Sequence, residues 1–199
     1  MKLAEYKLIF VAIGVIGIIL IVTPALADAI RLPGGEQFSE LYLLGAGQMA
    51  QNYPSNIVVG QNYSIYVGVS NHLGSSASYV LYVKFQNGTD PLPNTTTNTP
   101  DPAPPLYEYR FSLPDSNSWE EPLTFSVSDA TVSNNQSVVE TLMINSLNLN
   151  VNVPVAWDSN STGFNYKLVF ELWLYNSTAN SIQFNNRFVD LKLNLTKTN

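Results

Sequence analysis

The side chains able to carry acid–base or metal chemistry are few in this chain. Its 199 residues include no cysteine and one histidine, His72, and charged residues make up 12%. The lack of cysteine excludes thiol nucleophiles, disulfides and cysteine-bound metal centres, and a catalytic triad or a multi-histidine metal site would need more than His72. Because its sequence neighbours supply neither a nucleophile nor an acid, we expect His72 to be a turn residue that bonds to backbone.

Two acidic groups are the next candidates. Glu120 and Glu121 are adjacent, so in a strand they point to opposite faces and cannot work together as a glycosidase pair does. Asp158 begins a run of oxygen-bearing side chains, residues 158–162, but it is the only carboxylate there and the glutamate of a calcium loop is missing. The run is therefore predicted to be a turn. The sequence predicts no catalytic residue, no metal and no cofactor, and a protein that is not an enzyme.

A third chemistry is the intramolecular isopeptide bond, which joins an inward-facing lysine to an asparagine beside an acid. Lys167 and Lys192 fall on the polar faces of their predicted strands, because side chains alternate along a strand. Lys84 instead shares a face with Val80 and Tyr82. It is therefore the only lysine that the pattern allows for such a bond.

These residues are predicted to lie on short strands, because apolar side chains recur at every second position. In residues 164–174, Phe164 and Tyr166 share one face while Asn165 and Lys167 share the other. The same alternation predicts strands at residues 63–70, 78–85, 107–113, 123–127, 138–144, 147–155 and 189–195. Eight or nine strands, with no convincing helix after residue 27, predict an all-β fold, an antiparallel immunoglobulin-like β-sandwich.

One segment interrupts this pattern. Residues 89–105 contain six of the twelve prolines and show no apolar periodicity. Because proline cannot donate a hydrogen bond to a strand ladder, the segment is predicted to be a long extended loop of the polyproline II kind that joins two strands.

The N-terminal segment, residues 1–27, is predicted to be a hydrophobic helix with one of two roles. A secretory signal has a basic start, about 7–15 apolar residues and an A-x-A cleavage site, which residues 25–27 or 27–29 would provide. A membrane anchor needs ~20 apolar residues, which residues 8–27 supply. Both interpretations put residues 28–199 outside the cell, either on a single-pass anchor with a cytoplasmic N-terminus or secreted after cleavage near Ala27.

The predicted outer domain is polar through Asn, Ser and Thr more than through charge. It has seven basic and fourteen acidic residues without a basic cluster, so nucleic-acid binding is not expected. Seven N-x-[ST] acceptors predict N-glycosylation at Asn62, Asn87, Asn94, Asn135, Asn160, Asn176 and Asn194. Such a surface suits acidic surroundings, where ion pairs contribute little, and we take an acidophilic archaeal habitat as a hypothesis.

Several short pieces of the chain resemble one protein family. They are GEQFSELYLLG at residues 35–45, NYPSN at 52–56, VGQ at 59–61, VGVSNH at 67–72, WEEPLTF at 119–125 and FVDL at 188–191. Together they resemble the outer domain of the archaeal membrane-protein family known as domain of unknown function 1616. The resemblance implies an extracytoplasmic β domain on a membrane stem, and it brings no catalytic residues. More loosely, the character of the chain is similar to that of the subunits of donor-strand-linked archaeal surface filaments.

The function predicted from these observations is that of a non-enzymatic, N-glycosylated cell-surface structural or interaction protein of an archaeon. Two alternatives stay open: a filament subunit assembled by donor-strand complementation, and an accessory outer subunit of a membrane complex. The predicted partners are other protein subunits, including copies of itself, N-linked glycans, and membrane lipid through residues 8–27 if that segment is not cleaved.

Overall fold

The computed structural model describes Tyr6, Ile16 and residues 36–196, and it divides at Gln37 into two units. Tyr6 and Ile16 are helical. The rest of the predicted signal peptide or anchor, with its cleavage site, lies outside the described residues. Within those residues, no helix has the length and apolar character needed to cross a membrane.

The second unit is built from strands. The described residues form β1 (Phe38–Gly45), β2 (Asn56–Ile57), β3 (Tyr63–His72), β4 (Ala77–Asn87), β5 (Tyr107–Leu113), β6 (Ser118–Ser133), β7 (Gln136–Ile144), β8 (Leu147–Asp158), β9 (Gly163–Asn176) and β10 (Ser181–Leu195). The all-β prediction is confirmed. The alternation missed β1 and β2. It also drew β6 and β10 too short, because most of the residues of β6 outside 123–127 and of β10 before residue 189 are exposed or half-buried and show no regular apolar face.

All ten strands belong to one hydrogen-bonded sheet. Its main path runs β1-β3-β6-β7-β8-β9-β10-β2, and β4 pairs with both β9 and β5. Every pair is antiparallel except β2 with β10, where Asn56 and Ile57 lie parallel to Asn194 and Leu195. The sheet is therefore mixed, not purely antiparallel as predicted, because the short β2 runs in the same direction as the end of β10.

The sheet curls so that its two halves share one core. Ile65 and Val67 of β3 and Phe125 of β6 are fully buried, and they belong to the same apolar cluster as Leu81 of β4 and Phe170 of β9. The strands have one face toward this core, which is why the period-two pattern was visible in the sequence.

Two tight turns set the register of the middle strands. Asn134 and Asn135 join β6 to β7, and Asn145 and Ser146 join β7 to β8, all four with positive φ. Positive φ at both central positions is the geometry that fits the twist of a two-residue hairpin, and asparagine adopts it more readily than most residues.

Candidate functional site

His72, the one histidine, lies at the end of β3 in a setting without a catalytic partner. Its Nε2 atom is 3.8 Å from Glu40 Oε2, both side chains are largely exposed, and its ring lies against Phe38. Asn71, beside it, is fully buried and donates to the Ser75 and Leu113 carbonyls. His72 is therefore the last residue of a strand and not a turn residue as predicted. Its described neighbours provide a contact with an exposed carboxylate and a packing contact, and none of them is a nucleophile.

The acidic candidates are also separated or already bonded. Glu120 and Glu121 pair with Gly68 and Val67 of β3, and both are exposed. The Asp158 carboxylate accepts from Asn160 N and Ser161 Oγ, among others, and these hydrogen bonds lower its pKa. Among the described residues, no group of three or more His, Asp or Glu side chains is placed to hold a metal ion.

The seven predicted acceptor asparagines divide into two sets. Asn62, Asn94, Asn135 and Asn160 are exposed, whereas Asn87, Asn176 and Asn194 are half-buried. In the second set each side-chain amide donates within the fold: Asn87 to the Pro154 carbonyl, Asn176 to Gln183 and Asn194 to Asn56 and Ser161. A glycosyl bond forms on that same amide nitrogen. The first set is therefore exposed to a glycosylating enzyme, whereas the amide nitrogens of the second set are already hydrogen-bonded within the fold.

The alternation in residues 189–195 predicts Asn194 on the polar face of its strand, where a glycan could sit, but the structure covers this side chain. Its amide donates to Asn56 Oδ1 at 3.1 Å and to the Ser161 carbonyl at 3.0 Å. Gly163 lies so close that an added Cβ would stand 1.8 Å from Asn194 Oδ1. The side chain is on the outer face as the alternation requires, but the β8–β9 turn folds over it.

The proline-rich loop, residues 89–105, lies between β4 and β5 and covers the outer face of the sheet; we call it the strap. Its tip is a narrow turn closed by two backbone hydrogen bonds between Asn94 and Thr99. Pro93 and Asp101 are buried against the sheet, while residues 94–99 are exposed. The strap is thus an ordered third layer over part of the sheet.

Polar side chains of the sheet anchor the strap through its backbone carbonyls. Lys167 donates to Asp90 O and to Gly88 O just before the strap. Gln86 donates to Pro91 O, Asn186 to Thr95 O and Lys84 to Asp101 O. The last three of these bonds measure 3.3, 2.8 and 2.6 Å. Lys167 was predicted to lie on a solvated face; it is only 3% exposed because the strap lies over that face.

One of these anchors, Lys84, also forms a buried ion pair within the sheet. Lys84 Nζ lies 2.9 Å from Glu171 Oε2, and the two side chains are 4% and 0% exposed. Glu171 Oε1 accepts from the Asp101 backbone N–H at 2.6 Å, and Oε2 also accepts from Trp173 Nε1 at 3.0 Å. The prediction that Lys84 faces inward is wrong: Leu81, Val83 and Phe85 of β4 face the core, and Lys84 lies on the opposite face, buried under the strap. Among the described residues its ammonium contacts this carboxylate and the Asp101 carbonyl, and no asparagine.

Sequence reasoning missed Glu171 and Asp101. A signal for Glu171 was present: it stands between Phe170 and Leu172, and the residues two positions away on its own face, Val169 and Trp173, are also apolar. A strand that is apolar on both faces indicates that both are covered.

A groove lies between the edges of β1 and β10. It has a volume of about 330 Å³ and is lined by Leu41, Tyr42, Leu43, Tyr53, Val189, Asp190 and Leu191. Within the described residues, the outer edge of β10 pairs with another strand only at Asn194 and Leu195. The remainder of a 15-residue strand therefore presents backbone donors and acceptors that no strand of the sheet uses.

An aromatic row fills the side where β5 meets the other half of the sheet. Trp119 stacks on Phe111 at 4.1 Å and meets Tyr109 edge-on at 5.1 Å. The Tyr109 hydroxyl accepts from Asn145 Nδ2 at 2.8 Å, and burial raises its pKa to about 12. The row joins β5 to β6, and its rings are half-buried against one another.

The family comparison follows the resemblance read from the sequence. The family model described as "Domain of unknown function (DUF1616)" matches residues 32–143. The chain belongs to this family. The DUF1616 match covers all the resembling pieces from residue 35 to residue 125 and confirms the resemblance; the FVDL piece at 188–191 lies beyond it. No curated protein matches this DUF1616 chain in sequence.

Similar solved structures are distant. One is the CARDB domain of the PF1109 protein from Pyrococcus furiosus, in complex with di-metal ions: TM-score 0.42, 9% identity, 83% of this chain and 94% of that one. Another is β-glucosidase from Listeria innocua in complex with glucose: TM-score 0.40, 8% identity, 84% of this chain but only 19% of that one. A third is the sporulation control protein Spo0M from Bacillus subtilis: TM-score 0.39, 8% identity, 82% and 51%. At these scores they indicate no function.

Proposed function

We propose that the chain is a non-enzymatic, N-glycosylated cell-surface protein of an archaeon, acting through protein–protein contacts. Its strand unit is then an immunoglobulin-like β-sandwich outside the membrane, either anchored or released by the N-terminal segment. The observation that carries this proposal is the sorting of the acceptor asparagines into an exposed set and a bonded set.

The positions of the exposed acceptors support an oriented surface protein. We call the end of the strand unit that holds Phe38, His72 and Leu113 the entry end, since the chain enters β1 there. Exposed Asn135 and Asn160 lie in turns at the opposite end, where Asp158 pairs with Gly163 and Trp157 N donates to Asn135 O. Glycans on Asn135 and Asn160 would therefore leave the entry end clear. Asn94 lies instead in the strap, where Asn186 donates to the neighbouring Thr95 carbonyl.

The test is proteolysis of intact cells followed by glycopeptide mass spectrometry. The proposal expects the strand unit to be released or cleaved by external protease, with glycans on the exposed asparagines. A protein that resists protease until cells are lysed, and carries no glycan, would contradict it.

A second candidate function, a filament subunit assembled by strand addition, is favoured by the open edge of β10. An added strand would take up the unused backbone groups of β10 and place alternate side chains in the groove beside β1. Leu43 and Leu191 are two apolar residues that such a strand would contact.

Leu43→Lys tests this candidate. A lysine in the groove should prevent association in negative-stain images of native material while near-ultraviolet circular dichroism stays native. Leu147→Lys is the matched control, because Leu147 is 54% exposed and lies outside the groove. Filaments that persist with Leu43→Lys, or that are lost equally with Leu147→Lys, would exclude strand addition at this groove. A complex that instead dissociates only when detergent is changed would favour the accessory-subunit alternative.

A further inference from the structure

The strap is held by a one-sided set of hydrogen bonds. Lys84, Gln86, Lys167 and Asn186 of the sheet all donate to its backbone carbonyls. Glu171 is the exception among the described anchors, because it accepts from the strap, at the Asp101 N–H. Glu171 therefore binds the strap at Asp101. Through its ion pair it also positions Lys84, which donates to the carbonyl of the same residue.

Glu171 is surrounded by donors. Its two oxygens accept from Lys84 Nζ, Trp173 Nε1 and the Asp101 N–H, and the side chain is 0% exposed. A glutamine has one oxygen and an NH₂ group, and a protonated carboxyl has one O–H, so either would turn a donor toward another donor. Only the carboxylate satisfies all three partners.

We propose that the strap is a charge-operated cover: it is closed while Glu171 carries its negative charge, and it opens when that charge is removed, with the core of the sheet still folded. Removing one member of a buried ion pair leaves the other buried without compensation, which is strongly unfavourable. Opening the strap relieves this cost, because water then reaches Lys84. The inference does not depend on the proposed function.

The main core of the sheet lies away from the strap. Val83, Leu168 and Phe170 face the interior and are fully buried there, on the side of the sheet opposite the strap. Opening would uncover Val169, which is fully buried on the outer face beside the half-buried Tyr82 and Trp173 rings. The position of the strap therefore decides whether this outer face, which is separate from the core, is covered or accessible to solvent.

Several other charged or titratable groups face Glu171. Tyr82 and Lys84 come from β4, and Asp101 comes from the strap, where its carboxylate accepts from Ala103 N. On β10 the cross-strand neighbour is Phe188, followed by Asp190 opposite Val169. Lys84 is the one cation within 4.0 Å of Glu171 in the described residues, so it is the group left uncompensated when Glu171 is neutralised.

The test is hydrogen exchange of the full chain in detergent, comparing wild type with Glu171→Gln. The Asp101 and Ala103 amides of the strap should exchange about 10- to 100-fold faster in the variant, the factor that corresponds to losing a hydrogen bond to a charged group. Amides of β3 and β7 should be unchanged. Glu108→Gln is the matched control: it neutralises an exposed carboxylate paired with Arg110 and should change neither region.

A second measurement covers the case in which Glu171→Gln does not fold. Each of the three tryptophans gives one indole N–H resonance, and Trp173→Phe assigns the one that is bonded to Glu171. On acidification of the wild type, the Trp173 resonance should change before those of Trp119 and Trp157. Strap amides that exchange as slowly in Glu171→Gln as in wild type, or three indole resonances that change together, would overturn the proposal.

Discussion

Asn194 shows how a single side chain can fit a glycosylation motif and yet be taken up by the fold. Its amide is fully donated and the β8–β9 turn packs on it, whereas Asn62, three positions after Val59, is exposed. At the scale of one residue, the hydrogen bonds of the amide nitrogen decide whether it is available.

We therefore predict glycans on Asn62, Asn94, Asn135 and Asn160 and an unmodified Asn194. Site occupancy from glycopeptide mass spectrometry of the native protein is the measurement. Asn62→Gln should leave the melting temperature of the unglycosylated protein unchanged. Asn194→Gln should lower the free energy of unfolding by about 1–3 kcal/mol, because two hydrogen bonds, to Asn56 and to the Ser161 carbonyl, are lost at about 0.5–1.5 kcal/mol each. A glycan on Asn194 in folded protein would contradict this assignment.

Asp158 is the residue from which we predict a pH effect. Hydrogen bonds from the Asn160 N–H first, and then from Ser161 and Asn165, lower its pKa in the folded state. A lowered pKa means that its stabilisation is present above the ordinary value for Asp, about 3.9, and is lost as the pH falls through the lower folded value. Denaturant titrations in acid should show this slope.

Asp158→Asn provides the comparison for that slope. The amide cannot titrate, so the variant should show a flatter dependence of unfolding free energy on pH below about 4 than wild type does. Equal slopes for the two proteins would show that the hydrogen bonds of the turn do not stabilise the carboxylate form.

At the scale of elements, the turn between β7 and β8 is hydrogen-bonded to the aromatic row. Asn145 has positive φ, accepts from Thr124 N at 2.9 Å and donates to the Tyr109 hydroxyl at 2.8 Å. One turn residue therefore ties β8 to β5 and β6.

Two substitutions separate the backbone role of Asn145 from its side-chain role. Asn145→Gly keeps the positive φ and loses the bonds, which should cost about 1–3 kcal/mol of unfolding free energy. Asn145→Ala loses both and should cost about 1 kcal/mol more, because alanine disfavours positive φ. Chemical denaturation measures both, and an equal cost for the two variants would show that the φ angle does not matter.

At the scale of the whole molecule, the entry end and the opposite end should differ in accessibility on cells. The chain has no cysteine, so one introduced thiol can be labelled by a reagent that does not cross membranes. Ser76 and Ser133 are both exposed; Ser76 lies at the entry end and Ser133 beside the Asn134–Asn135 turn. If the protein is held through its entry end, Ser133→Cys should label on intact cells and Ser76→Cys should be protected.

The purified protein supplies the control for this experiment, since both thiols should label fully once neighbours and membrane are removed. Equal labelling of Ser76→Cys and Ser133→Cys on intact cells would contradict an arrangement in which the entry end is covered.

Much of the fold was determined locally by the sequence. The alternation in residues 164–174 predicted the buried face of β9, because burial on one side of a strand recurs at every second residue. The turns with Asn and Ser between β6, β7 and β8 were also local, since they depend on the φ angles of two residues. β2 could not be predicted in this way, because two residues are too short to show a period.

The sequence by itself determined an all-β, cysteine-free and charge-poor chain with seven candidate acceptors, and it singled out Lys84. Only the tertiary structure decided that Lys84, Asp101 and Glu171 meet, because they come from β4, the strap and β9 and are joined by pairing between distant segments. It also decided which asparagines are free to be modified. Both outcomes depend on what covers the outer face of the sheet, and a period-two pattern carries no information about a layer contributed by another part of the chain.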